Sequence, residues 1–329
     1  MEIRTLGRTH RQVSAIGLGT WQLGADWGDV DEADALAVLD ASAGAGVTVF
    51  DTADVYGDGR SEALIGRWLA ANPGAGVTVA TKMGRRMPQL HENYVLEHFR
   101  AWTDRSRRNL GVETLDLVQL HCPPSSVYSD DAVYDALDTL VAEGAIAAYG
   151  VSVEKVDEAL TAIARPNVAT VQIILNAFRF RPVDEVLPVA KQYGVGIIAR
   201  VPLASGLLAG RYSLETEFPA NDHRTYNRHG QAFDVGETFS GVEYATGVRA
   251  ASEFTALARE AAPDATAAQV ALAWVARQDG VSTVIPGARS PEQARANAAA
   301  GSLELPESFD AAVRDLYDRD VRSSVHHRW

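Results

Sequence analysis

The chain of 329 residues carries a formal net charge of -13 and is 47% hydrophobic and 22% charged, the balance of an ordinary globular protein, so extensive disorder is excluded. The acidic balance, with no block of basic residues, argues against nucleic acid as a partner, and no apolar run reaches the ~18 residues that span a bilayer. A single cysteine, Cys122, leaves no intramolecular disulfide and no multi-cysteine metal site; with no signal-peptide core in Met1–Thr20, a reducing, cytoplasmic setting is expected.

Strand-like and helix-like segments alternate along most of the chain, the pattern of a parallel α/β fold. Ile3–Val13, with Gly7-Arg8-Thr9-His10 between short strands, reads as a hairpin able to plug the bottom of a barrel. Ala15–Leu18 follows as the first barrel strand, and a helix begins near Asp31, where acidic residues suit the helix dipole. Val47–Asp51 leads into a helix at Ser61–Leu69, with Ser61 as its cap. Val77–Thr81 precedes a helix over Tyr94–Leu110. Leu115–Leu120 precedes one over Asp131–Glu143, whose Val133, Leu137, Leu140 and Val141 share a face.

Strands at Ala147–Val151, Thr170–Ile174, Gly196–Arg200 and Thr283–Ile285 then alternate with helices at Val156–Ile163, Asp184–Tyr193, Ala267–Arg277 and Glu292–Ala299. Eight such units predict a (β/α)8 TIM barrel forming one domain over 1–329, its core at about 15–319. After the seventh strand, Arg211–Gly247 is a long polar loop with six aromatics (Tyr212, Phe218, Tyr226, Phe233, Phe239, Tyr244). A loop of that length is a lid, a binding loop or a surface insertion. Glu307–Asp318 reads as a closing helix and Val321–Trp329 as a tail.

Three successive apolar runs end in reactive side chains: Asp51 with Tyr56 just beyond, Lys82, and His121. In a parallel barrel every strand C-terminus opens on one face, so the four should converge there. Each alone could be an ordinary polar cap, but a lysine at a barrel mouth must be paired or solvated, and Asp51 is the evident partner. Held beside the phenol of Tyr56, that lysine would lower a pKa that starts at about 10 and make the tyrosine a usable proton donor. His121 would hydrogen-bond and orient a substrate oxygen.

Other chemistries find less support. Gly17-Leu18-Gly19-Thr20-Trp21-Gln22 begins like a dinucleotide fingerprint, but Gln22 stands where a small residue is needed and no ribose-binding acid follows on the second strand. A metal-dependent barrel hydrolase would need a ligand set, yet no strand carries His-x-His and the only adjacent histidines, His326 and His327, lie in the tail. Cys122 has no activating base besides His121, which makes a nucleophile reading weak.

Taken together, Gly19-Thr20-Trp21, the Phe50–Gly57 block, Ser61-Glu62, Thr81-Lys82, Leu115–His121, Gly150-Val151-Ser152 and Ile285-Pro286-Gly287-Ala288-Arg289 occur in the order of the aldo-keto reductase superfamily, which the chain resembles over essentially its whole length. The resemblance implies a barrel that binds NADP(H) without a Rossmann fold and reduces a small-molecule aldehyde or ketone, with Asp51, Tyr56, Lys82 and His121 at the catalytic tetrad positions. It places Gly19, Thr20, Trp21 and Asp51 at the nicotinamide end and Ser152 and Gln172 on the carboxamide. Pro202, Leu203, Ser205, Gly206 and Leu208 would wrap the pyrophosphate. Ile285 and Gly287 lead to Arg289 and Ser290, which would hold the adenosine 2'-phosphate at a helix N-terminus, with Gln293 and Asn297 near the adenine. Two positions depart from the pattern. Val153 stands where an asparagine is common, and Arg200-Val201 where an aromatic residue usually stacks on the nicotinamide; Arg200 could stack through its guanidinium. Trp21, Trp27, Tyr128 and the loop aromatics are expected as walls of a substrate pocket. The resemblance also admits a cofactor-sensing subunit with slow turnover, against which the complete tetrad speaks.

Overall fold

Strands buried on both faces need near-continuous apolar sequence, and in the computed structural model, which describes residues 1–24 and 31–329, those runs form one parallel sheet. A short antiparallel pair comes first, β1 (Ile3–Thr5) against β2 (Gln12–Ser14) in the register Arg4↔Val13. The barrel strands follow as β3 (Leu18–Gly19), β4 (Val49–Asp51), β5 (Thr78–Met83), β6 (Leu117–His121), β7 (Tyr149–Ser152), β8 (Val168–Ile174), β9 (Gly196–Arg200) and β10 (Val281–Val284). Each pairs in parallel with the next. Bridges Ile16↔Val284 and Gly19↔Gly287 join the first to the last and close the barrel. The first strand therefore pairs regularly later than expected, with Ala15–Gly17 contributing single bonds such as Gly17 N to Val284 O at 2.7 Å.

The hairpin plugs the barrel bottom as its sequence predicts. Leu6 and Val13 are fully buried and pack with Val49, Ala80, Leu117 and Ile198 in a cluster separate from the main core between strands and helices. Arg8 fixes it from outside, its Nη1 donating to the carbonyls of Arg165 (2.8 Å) and Val168 (2.9 Å). Gly7 is needed at the seam: its φ is +49° and a Cβ there would lie 2.0 Å from Gly196 N and 2.3 Å from Ala169 O. Gly7→Ala should cost roughly 3 kcal/mol, left-handed strain and overpacking together, as read by urea unfolding. An unchanged unfolding midpoint would mean that the plug is not seated here.

Several local expectations are corrected. The helix read as Asp184–Tyr193 is two, Arg181–Glu185 and Leu187–Tyr193, because Pro188 has no N–H to continue the first through Val186. Ser61 is not a cap. The helix Arg60–Ala71 starts from Gly59 at φ 92°, and the buried Ser61 hydroxyl instead meets Thr20 Oγ1 (2.7 Å) and Thr52 Oγ1 (2.9 Å). The end of the long loop opens the helix Tyr244–Ala261, capped by the Glu243 carboxylate on the amides of Ala245 (3.0 Å) and Thr246 (2.8 Å). Its buried stripe is mostly alanine and glycine, a weak periodic signal. The rest of the loop holds short turns, His223–Tyr226, Val235–Glu237 and Phe239–Gly241, folded over the strand C-terminal end. The supposed tail is docked, with Val325 and Trp329 buried. No helix among the described residues is long and apolar enough to cross a membrane.

Candidate active site

Strand register decides which side chains share the barrel mouth. Asp51 ends β4, Lys82 lies one residue from the end of β5, and His121, Ser152 and Arg200 end β6, β7 and β9. His121 is level with Ser152, and Ser152 with Gln172 on β8. The expected convergence is therefore present. Lys82, 1% exposed, places Nζ 2.5 Å from Asp51 Oδ1, 2.8 Å from Thr52 O and 3.3 Å from Tyr56 Oη. The other Asp51 oxygen accepts from Gln172 Nε2 at 2.7 Å and Gln119 Nε2 at 3.4 Å. Both oxygens of the acid are engaged, which pins the lysine against the phenol. The His121 ring stands edge-on to Tyr56 at 6.0 Å, and Trp21 stacks on Tyr56 at 6.2 Å.

Burial pulls the Lys82 ammonium downward, but Asp51 and the phenol more than reverse this and hold it above its usual value, so it stays charged. The expectation for Tyr56 is corrected. Burial pushes the phenol above its ordinary value; Lys82 opposes this, while Asp51 and Glu237 add to it. Tyr56 is thus protonated at neutral pH, the state a proton donor requires. Burial, together with Arg85, Lys82 and Arg200, holds His121 well below its usual range, so it faces the cavity as a neutral imidazole. Asp54, buried and with no hydrogen bond to either carboxylate oxygen among the described residues, is raised to about 7, first by burial and then by the charge of Glu62.

A cavity of about 320 Å³ opens at this end of the barrel. It is lined by Gly19, Thr20, Trp21, Asp51, Ser152, Gln172, Arg200, Pro202, Leu203, Ser205, Gly206, Ile285, Gly287, Arg289 and Gln293, and by Tyr56 and His121. Three residues expected at the cofactor, Leu208, Ser290 and Asn297, do not line this cavity. Leu208 is fully buried in the main core, and Asn297 donates to Gly287 O at 3.0 Å, bracing the loop behind the cavity wall. Ser290 caps the helix Pro291–Ala299 by accepting from Gln293 N at 3.2 Å, and Gln293 Oε1 accepts from Arg289 N at 2.8 Å. Tyr128 is not a pocket wall: fully buried, it donates to Ser152 O at 2.9 Å and so supports that strand end. Trp27 lies outside the described residues.

The loop after β9 takes left-handed conformations at Val201, Ala204, Ser205 and Gly206, which turn it tightly about the cavity. Ser205 is a junction, its hydroxyl donating to Glu237 O (3.0 Å) and accepting from Phe239 N (3.0 Å). Arg200 is held in place, 3.0 Å from Glu154, 2.9 Å from Glu237 and 3.0 Å from Val153 O. Burial opposes the charge on Glu237, yet Arg200 and Arg85 keep it below the usual carboxylate range, whereas burial and the charge of Glu237 push Glu154 up to about 8. Cys122, Glu154 and Glu237 offer donor atoms within 4.8 Å of one another, but the cation they already hold is Arg200. The Cys122 thiol is pushed up to about 12, first by burial, and is no nucleophile.

A smaller cavity of about 120 Å³ adjoins Tyr56 and His121, bounded by Trp21, Val55, Arg85, Phe233 and Glu237. Arg85 and Glu237 lie outside the sequence reading, as do His223 and Arg224 around the larger cavity, whereas Tyr212 and Phe233, two of the loop aromatics expected as pocket walls, line the larger and the smaller cavity. Arg85 was within reach of the strand-end rule, two residues beyond β5. No periodicity marks the others, because an irregular segment carries them in.

The sequence profile described as the aldo/keto reductase family matches residues 15–318. An uncharacterized oxidoreductase of Mycobacterium tuberculosis is 34% identical over 313 residues, covering 92% of this chain and 89% of that protein. Among solved structures, a glycerol dehydrogenase from Gluconobacter oxydans superposes with a TM-score of 0.79 at 28% identity, covering 97% of this chain and 96% of its own. An aldo-keto reductase from Klebsiella pneumoniae, solved in complex with NADPH, gives 0.71 at 27% identity, with 96% of each chain covered. With the profile spanning the barrel and these relatives covered nearly end to end, the chain belongs to the aldo/keto reductase family of oxidoreductases.

Proposed function

We propose that this chain reduces an aldehyde or ketone to an alcohol with NADPH, Tyr56 giving the proton. The observation that carries the reading is the Lys82 ammonium, 2.5 Å from Asp51 and 3.3 Å from the Tyr56 hydroxyl, with that hydroxyl's side chain lining a cavity of about 320 Å³. The residues present suit a phosphorylated dinucleotide. A tight left-handed loop at Ser205–Gly206 lies on one side, and on another Arg289 stands beside the start of the helix Pro291–Ala299, where amide dipoles favour an anion. When bound, NADPH supplies a hydride. The chain's residues do the rest. Tyr56 donates its proton to the carbonyl oxygen, neutral His121 hydrogen-bonds and orients that oxygen, and Lys82 stabilises the phenolate left behind. Asp51, gripped by Gln172 and Gln119, keeps the ammonium in line. Arg200, fixed between Glu154 and Glu237, offers a guanidinium face in place of the usual aromatic ring.

Steady-state NADPH oxidation with a panel of aldehydes and ketones tests the reading; no turnover with any of them would overturn it. Cofactor choice gives a sharper test. A charged hydrogen bond from Arg289 to a 2'-phosphate contributes roughly 1.5–3 kcal/mol, or about ten- to a hundredfold in affinity. NADPH should therefore bind more tightly than NADH, and Arg289→Ala should weaken NADPH by about that factor while barely changing NADH. The preference should shrink as salt rises. Equal losses for both cofactors in fluorescence titrations would mean that Arg289 supports the loop and does not read the phosphate.

A further inference from the structure

Trp329 lies far in sequence from the tetrad, yet its contacts run to the segment that walls the smaller cavity. That cavity takes Phe233 and Glu237 from one short stretch, and between them lies Asp234. The Asp234 carboxylate accepts from Gly236 N at 2.7 Å, forming the turn Val235–Glu237, and the same oxygen accepts from Trp329 Nε1 at 2.9 Å. The indole also lies 3.9 Å from the guanidinium of Arg179. Arg179 is 2% exposed; its Nη2 donates to Glu154 O at 2.9 Å, and its Nε and Nη1 find no acceptor among the described residues. The aromatic face is therefore a main partner for this buried cation. Two glycines are fitted to the indole. A Cβ at Gly236 would lie 2.5 Å from Arg179 Nη1 and 3.0 Å from Trp329, and one at Gly241 would lie 2.2 Å from Trp329. Arg181 Nη1 holds the Trp329 main-chain oxygen at 2.7 Å.

We infer that Trp329 is a positioning residue for carbonyl binding: by holding Asp234 and covering Arg179 it fixes the turn that sets Phe233 and Glu237 as the roof over Tyr56 and His121. The inference rests on the reductase reading above. Without the indole, the turn loses its anchor through Asp234 while Arg200 and Ser205 still hold Glu237, and the roof samples open positions in which the Phe233 wall of the small cavity is displaced. A fractionally populated closed roof raises the apparent KM for the carbonyl by the inverse of that fraction. The proton donor, its lysine and the Arg289 end of the larger cavity stay where they are.

The test uses the full chain, with NADPH oxidation followed against propionaldehyde and glyceraldehyde as probes. Trp329→Ala should raise the aldehyde KM about tenfold, with kcat per folded site and NADPH affinity changing by less than about threefold. Trp329→Phe, which keeps an aromatic face for Arg179 but has no N–H for Asp234, should fall between. Asp234→Ala should copy Trp329→Ala, and Asp234→Asn, which retains an acceptor oxygen, should restore most of the wild-type KM. Should Trp329→Ala fail to fold, the Trp329→Phe and Asp234 pair decide by the same KM criterion. Unchanged KM with activity falling only in step with the folded fraction overturns the inference and leaves the reductase reading intact. A panel carbonyl that the wild type turns over replaces these probes if both are inert, and a wild type inactive on the whole panel overturns the two together.

Discussion

Tyr56→Phe should lower turnover by roughly a thousandfold, within the range a positioned general acid contributes, while NADPH affinity stays within about twofold. The change removes one oxygen. The phenylalanine ring still stacks under Trp21 and stands edge-on to His121, so the cavity keeps its shape. Lys82 loses its 3.3 Å neighbour but keeps Asp51 and Thr52 O, which leaves the ion pair intact. Single-turnover hydride transfer and a fluorescence titration of NADPH on the same preparation separate the two effects. Full activity in the variant would remove Tyr56 from the mechanism, and a parallel loss of NADPH affinity would make it a wall of the cofactor site.

Lys82→Met carries the second large effect, and it reaches stability as well as rate. Breaking a buried ion pair by removing one partner costs roughly 3–5 kcal/mol, because the remaining charge is stranded. Here the stranded group is Asp51, 3% exposed. The pH dependence has a defined sign. Burial raises the Tyr56 pKa and Lys82 is the main opposing influence, so its loss drives the phenol higher still. In alcohol oxidation with NADP+, where a phenolate must accept the proton, the rising limb of the pH–rate curve should move to higher pH in the variant. In carbonyl reduction the weaker acid should slow the step at every pH below that limb. An unmoved limb with activity retained would show that Lys82 does not set the acidity of Tyr56.

Asp51, Lys82 and His121 were legible because each closes an apolar run, with Tyr56 just beyond the first of them, and a strand end in a parallel barrel leaves a side chain one direction to face. The same rule stretched by two residues would have found Arg85. It could not have found Glu237, which enters from an irregular segment placed by contacts with Ser205, Arg200 and Trp329 that lie far from it in the chain. Nor could pattern reading tell that Ser61 faces inward to Thr20 and Thr52, since a serine at a helix start reads equally well as a cap. The helix Tyr244–Ala261 escaped because small residues bury a face without announcing it. The direction of the Tyr56 shift was misjudged for a physical reason. A sequence names the charge beside a phenol but not how deeply both are buried, and here burial leads.

The plug at the barrel bottom has a consequence for the order in which the protein is made. Arg4 grips the carbonyls of Ala276 and Val281, partners 272 and 277 residues away, and Arg8 grips those of Arg165, Val168 and Tyr193. The hairpin leaves the ribosome before the barrel strands and cannot be fully fastened until the last of them has followed. While the chain grows, Leu6 and Val13 have no floor to close and the open sheet shows water an unpaired edge at each successive strand. Translation speed and chaperone access through that interval then bear on how much of the protein reaches its folded state, because pairings so distant in the chain form slowly and leave apolar surface open meanwhile.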